Sequence, residues 1–113
     1  MPLPGWLSPP ERGAIDAFVT EARRRLGSDL QEVRLFGSRA RGEGNEDSDI
    51  DLAVIVNRAG AERRDELLDL AFDLGLQYPV RLAPLVLERP RLEALRQRER
   101  RLVHDIDRDG IPV

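Results

Sequence analysis

Two aspartates separated by one residue open the most apolar stretch of the chain, Ser48-Asp49-Ile50-Asp51-Leu52-Ala53-Val54. On a strand, side chains two apart leave the same face, which sets the Cβ atoms of Asp49 and Asp51 ~6–7 Å apart. Carboxylates that close repel unless water solvates them or a cation sits between them. A divalent cation with oxygen ligands answers that repulsion. Mg2+ suits best, because it takes one or two carboxylates and completes its shell with phosphates and water. Upstream lies Leu35-Phe36-Gly37-Ser38-Arg39-Ala40-Arg41-Gly42. A glycine at a strand end lets another group approach the backbone closely. Ser38 adds a hydroxyl, and a following helical turn would offer N–H groups to an anion. Arg39 and Arg41 add guanidinium charge nearby. Alone, Gly37-Ser38 makes a turn and an isolated D-x-D makes a solvated strand start. The combination carries weight, because a metal-bound triphosphate needs acidic ligands and anion donors together.

The elements that must hold these groups are readable from periodicity. Residues 1–8 form an irregular, proline-containing arm of what reads as a single domain over 1–113. Ser8-Pro9-Pro10 signals a helix start, and Ile15, Phe18, Val19, Ala22 and Leu26 recur at helical spacing to Gly27. The first helix therefore covers about residues 9–26. Leu30 to Phe36 reads as a strand ending at Gly37-Ser38, and Arg39 to Asp47 as a loop. Asp49 to Val56 is the clearest strand, with Ile50, Leu52, Val54 and Val56 making one apolar face. That alternation fixes the register and keeps both aspartates on the opposite face. Ala61 to Tyr78 has helical spacing and stops at Pro79. Val80 to Leu87 reads as a third strand, at an edge or a bulge because Pro84 cannot donate to a ladder. Residues 89–109 are helical with a break near Gln97, and Ile111 to Val113 form a short strand or a tail. The two early strands lack a crossover helix between them and so form an antiparallel pair. The expected class is α+β, a small mixed or antiparallel sheet with helices packed on one face.

Composition closes off several alternatives. No cysteine is present, which excludes disulfides, thiolate zinc sites and cysteine nucleophiles. His104 is the only histidine, so paired-histidine metal motifs are absent, and it reads as an ordinary helix residue. Aromatics make up 4% of the chain, too few for a base-stacking platform. The net charge is -3, which argues against direct nucleic-acid binding. All basic residues are arginines, so any cation offered to a phosphate is a planar, permanently charged guanidinium. No apolar run is long enough to span a membrane and no signal-peptide pattern opens the chain, so a cytoplasmic protein is expected. Trp6 either packs its arm on the domain or anchors a homo-oligomer.

The two segments together, Gly37-Ser38-Arg39-Ala40-Arg41-Gly42 and Ser48-Asp49-Ile50-Asp51-Leu52, resemble the G-S-x-A-R-G and S-D-[IVL]-D-[LF] signature of the polymerase-beta-like nucleotidyltransferase superfamily. The size is similar to its smallest branch, the minimal nucleotidyltransferases. Ile106-Asp107-Arg108-Asp109-Gly110 resembles the I-x-[RK]-[ED]-G ending of many members. The resemblance implies a metal-dependent enzyme that moves a nucleoside monophosphate, with ATP as donor and Mg2+ as cofactor, onto a hydroxyl. It implies that Gly37 and Ser38 hold phosphates, with Arg39 and Arg41 beside them, and that Asp49 and Asp51 are the catalytic metal ligands.

The family usually supplies a third carboxylate from a later strand. Here Arg81 aligns with that position, a shift of two gives Ala83, and no residue from Gln77 to Leu87 is acidic. Three readings follow: a working transferase, a binding module in which Arg81 replaces the metal's charge, or an Arg81 that faces solvent without bearing on the site. Minimal nucleotidyltransferases commonly pair, as antitoxins, with a small helical HEPN-type protein. The resemblance therefore implies such a partner as acceptor. The alternative is a catalytically impaired module that neutralises its partner by complex formation. Seven arginines between Arg89 and Arg108, interleaved with Leu92, Leu95, Leu102, Val103 and Ile106, form either a solvated helix face or a docking surface for an acidic partner.

Overall fold

The computed structural model describes residues 3–45 and 47–113. Residues 1 and 2 of the expected arm and residue 46 of the expected loop lie outside the described residues. Helix α1 spans Pro9–Leu26 and starts on a capping box. The Ser8 side chain accepts from the Glu11 N–H and the Glu11 side chain accepts from the Ser8 N–H, so two donors orphaned at the helix start are satisfied reciprocally. After a 3-10 turn at Gly27–Asp29 come β1 (Leu30–Phe36), β2 (Ile50–Val56), α2 (Gly60–Gln77) and β3 (Leu82–Glu88). They are followed by α3 (Arg89–Arg98), α4 (Arg100–Asp109) and a two-residue β4 (Ile111–Pro112). The last helical stretch breaks at Glu99, two residues beyond the expected Gln97.

The sheet is mixed, in the order β3-β2-β1-β4. β1 pairs antiparallel with both β2 and β4, and β3 pairs parallel with β2. The α+β class holds, but the helices divide between both faces instead of sharing one. Val33, Leu35, Ile50, Leu52, Val54, Val56 and Val86 pack with Ile15, Phe18, Leu67 and Ala71 from α1 and α2. The alternate residues Phe36, Ala53 and Leu87 pack with Leu92, Val103 and Ile106 from α3 and α4. The apolar residues interleaved with the arginines thus form a second, smaller core, because α3 and α4 share one patch of the opposite sheet face. The aspartate face of β2 is thus covered at one end and open at the other.

Pro84 sits where the expectation put it. The Ile50 N–H donates to the Arg81 carbonyl, so the odd-numbered residues of β3 turn their backbone polar groups toward β2. Pro84 therefore turns its missing donor to the free edge, where no ladder bond is lost.

Candidate active site

The antiparallel β1–β2 pair puts the end of β1 beside the start of β2, with Phe36 opposite Asp51. The chain then makes one tight turn. The Ala40 and Arg41 N–H groups donate to the Gly37 carbonyl, and Glu43 N–H donates to that of Ser38. Gly37 has φ +75°, a left-handed conformation that L side chains rarely adopt. A Cβ built on it would lie 2.3 Å from Oδ2 of Asp51. Glycine is required there on both counts, and the Asp51 carboxylate rests directly against the turn backbone.

Asp51 is half-buried, whereas the Asp49 side chain is 59% exposed. Burial pushes the Asp51 carboxyl above its ordinary range, and the charge of Asp49 pushes it further, while the Arg41 guanidinium pulls the other way. The two acids thus face one region, as the D-x-D spacing requires. Among the described residues no third acidic or imidazole group joins them. A two-carboxylate site still fits Mg2+ with phosphates and water as its other ligands, and a cation there would offset both the burial of the Asp51 charge and its repulsion by Asp49.

Arg39 and Arg41 go to different places. Arg39 is buried, with Nε 2.8 Å from Oε2 and Nη2 2.7 Å from Oε1 of Glu11, and Nη1 3.1 Å from the Glu43 carbonyl. Its backbone carbonyl accepts from the Trp6 indole at 2.6 Å. The reading of Arg39 as a nucleotide ligand is corrected by this burial: its guanidinium faces inward and ties the turn and the N-terminal arm to α1. Trp6 lies over Gly42, so the arm packs on the body of the protein. Glu11 was missed, although Ser8 followed three residues later by Glu11 is a capping-box pattern. Burial alone would raise the Glu11 carboxyl, but the hydrogen bonds from Arg39 and Ser8 and the charge of Arg39 hold it below its usual range.

Arg41 stays at the surface near the dyad. It donates to Oδ2 of Asp109 at 3.0 Å and to Glu43. Asp109, also hydrogen-bonded by Arg108, is held down to about 2. The Ile106–Gly110 segment therefore anchors the arginine beside the site. Gly110 is needed for close approach, since a Cβ there would meet the Ile106 carbonyl oxygen at 2.1 Å.

Strand β3 sets Ala83 beside Asp51, with Arg81 just before the strand. Arg81 does not face away from the site. Its Nε lies 3.2 Å from Oδ1 of Asp49, and it also donates to the Asp47 carbonyl. Beyond this pair opens a pocket of about 470 Å3 lined by Asp49, Phe72, Leu76, Val80, Arg81 and Ala83 among others. Sequence spacing did not point to it, because the pocket needs α2 and the start of β3 side by side.

The nucleotidyltransferase domain pattern matches residues 15–106. The chain belongs to that family. Among curated relatives, a Methanocaldococcus jannaschii protein named as a protein adenylyltransferase is 34% identical over 77 residues, covering 66% of this chain and 52% of its own length. This chain thus spans about half the length of that relative. A second protein so named from the same organism is 34% identical over 76 residues, covering 67% of this chain and 72% of the other. Among solved structures, one described as a minimal nucleotidyltransferase is 30% identical with a TM-score of 0.60, covering 90% of this chain and 91% of that one. A toxin–antitoxin structure with AMP-PNP shares the fold, at 22% identity and a TM-score of 0.59 over 86% of this chain and 70% of that one. No helix among the described residues is long and apolar enough to cross a membrane.

Proposed function

We propose that this nucleotidyltransferase-family chain, working as one domain over residues 1–113, transfers AMP from ATP to a hydroxyl on a partner protein. The observation that carries the reading is the Asp51 carboxylate seated on the Gly37 backbone, with Asp49 beside it and the Gly37–Ser38 turn next to both. Names of the relatives support the protein acceptor, and the toxin–antitoxin neighbours support an antitoxin role. A HEPN-type toxin is the partner the sequence resemblance implies.

Asp49 and Asp51 would hold Mg2+, which supplies charge neutralisation for the triphosphate and its leaving group. The Gly37–Ser38 turn offers backbone N–H groups and a hydroxyl to the phosphate tail. Arg41, fixed by Asp109, adds positive charge at the rim. The acceptor hydroxyl gives up its proton to water as its oxygen bonds to the α-phosphorus, the bond from that phosphorus to the bridging oxygen breaks, and pyrophosphate departs. Arg81 must first release Asp49, and an exposed single-contact pair gives way at small cost.

The test is mass spectrometry of a co-expressed cognate partner with ATP and Mg2+. An added AMP that disappears in Asp51→Asn supports transfer, and an unmodified partner rejects it. The Arg81–Asp49 pair favours one second reading, a binding module without catalysis. That reading predicts partner neutralisation untouched by Asp51→Asn, with no adduct in either form.

A further inference from the structure

Helix α2 turns two sides outward. Leu67, Ala71 and Leu74 are buried against the sheet. Leu68, Phe72 and Leu76, four residues apart, are 44%, 68% and 71% exposed and form an apolar row along the helix. Beside that row run Asp65, Asp69 and Asp73, again four apart and exposed. Among the described residues none of these aspartates forms an ion pair. On its other side the apolar row borders the pocket that opens onto Asp49 and Arg81. One continuous surface therefore runs from an unneutralised acidic edge, over an apolar strip, to the dyad.

We infer that this surface docks an amphipathic helix of a partner protein, with apolar side chains over Leu68, Phe72 and Leu76 and a basic edge on Asp65, Asp69 and Asp73. Its role as the segment presenting the acceptor hydroxyl rests on the transfer reading above. Three observations choose this occupant. The free edge of β3 is spoiled for strand addition by Pro84, whose absent donor points outward. An antiparallel second copy would lay one aspartate row on another, which charge disfavours. A nucleobase could fill the pocket with its phosphates toward the dyad, but it would leave Leu68 and the acidic edge bare. A helix carrying arginine or lysine on one flank covers all of it.

The test uses a fluorescein-labelled helical peptide matched to the 18 residues of α2, with leucines at helical spacing and arginines along one edge, and a control with glutamates at that edge. Anisotropy is read on the whole chain without nucleotide or Mg2+, so docking is measured apart from transfer. The arginine-edged peptide is expected to bind, and binding should weaken about tenfold or more in Phe72→Ala and in the triple Asp65→Asn, Asp69→Asn, Asp73→Asn variant. The positions are exposed, so unchanged melting curves establish that the variants are folded. The triple Asp→Arg variant at 65, 69 and 73 should exchange its preference to the glutamate-edged peptide. Equal binding of both peptides, or none, overturns the inference. Displacement of the peptide by an ATP analogue assigns the pocket to the nucleobase and also overturns it. A molecular mass by light scattering that falls from dimer to monomer in Phe72→Ala does the same in favour of a second copy. Docking that behaves as expected while the partner remains unmodified overturns only the acceptor role.

Discussion

Glu11–Arg39 and Asp49–Arg81 are both carboxylate–guanidinium pairs, yet their surroundings differ completely. The first has side chains 0% and 6% exposed, two parallel N–H···O bonds, and further contacts from Ser8 and Glu43. The second has side chains 59% and 70% exposed and one ion-pair contact. A buried pair whose remaining hydrogen-bonding capacity is used resists removal of either partner, because the survivor is stranded without water. An exposed pair is held weakly and exchanges its partner readily. Arginine next to the signature thus serves as architecture in one case and as a replaceable counter-ion in the other, and burial decides which.

The largest effect should come from breaking the closed pair. Glu11→Ala or Arg39→Ala is expected to cost ~3–5 kcal/mol in urea unfolding, a large share of a small domain's stability. Arg39→Lys should recover little, since an ammonium cannot supply the two-pronged contact. A loss as small as that of a surface pair would remove the contrast. Next, Gly37→Ala should both destabilise and impair nucleotide binding, because it forces a Cβ into the place of the Asp51 oxygen. Calorimetry with ATP and Mg2+ should show binding lost by about tenfold or more.

Asp51→Asn separates function from stability. Transfer should vanish, while the metal-free protein should melt a few degrees higher at neutral pH. The sign follows from the raised carboxyl: the fold favours its protonated form, so stability is lost as pH rises through the folded value. Glu11 runs in the opposite sense. Its lowered carboxyl contributes stability above the unfolded value near 4.5, lost as pH falls through the folded one. Acid unfolding monitored by circular dichroism should therefore begin below about pH 4.5 and be largely absent as a separate step in Glu11→Gln. The smallest effect belongs to the exposed pair. Arg81→Ala should alter stability by no more than ~0.5 kcal/mol. Arg81→Asp should raise transfer if the position is a vacated ligand site, and no change would show that Ala83 is the true counterpart.

What sequence made legible was whatever depends on period and local chemistry. The apolar alternation of β2 fixed the aspartate face, and Pro84 marked an edge. The helix-strand order of the chain emerged with the boundaries of α2 and β3 displaced by only one or two residues. Arg39 was misread because a linear motif does not say which way a side chain turns, and its partner Glu11 lies 28 residues away. The apolar residues of α3 and α4 were legible among the arginines, but periodicity does not say which face of the sheet a helix covers, so the second core was not placed. The pocket beside Asp49 also escaped notice, since nothing local to Phe72 and Leu76 says that a sheet edge stands beside them.

The hairpin that joins β1 to β2 has a kinetic consequence. The turn and both aspartates lie within a short, contiguous stretch, so closing that loop costs little chain entropy. Low closure cost favours early formation of these contacts, whereas pairing of β3 beside Asp51 requires α2 to cross the sheet first. The half of the site made by the turn and the two aspartates is thereby assembled by residues close in sequence. The slot occupied by Arg81 and Ala83 is the part whose geometry waits on the rest of the chain.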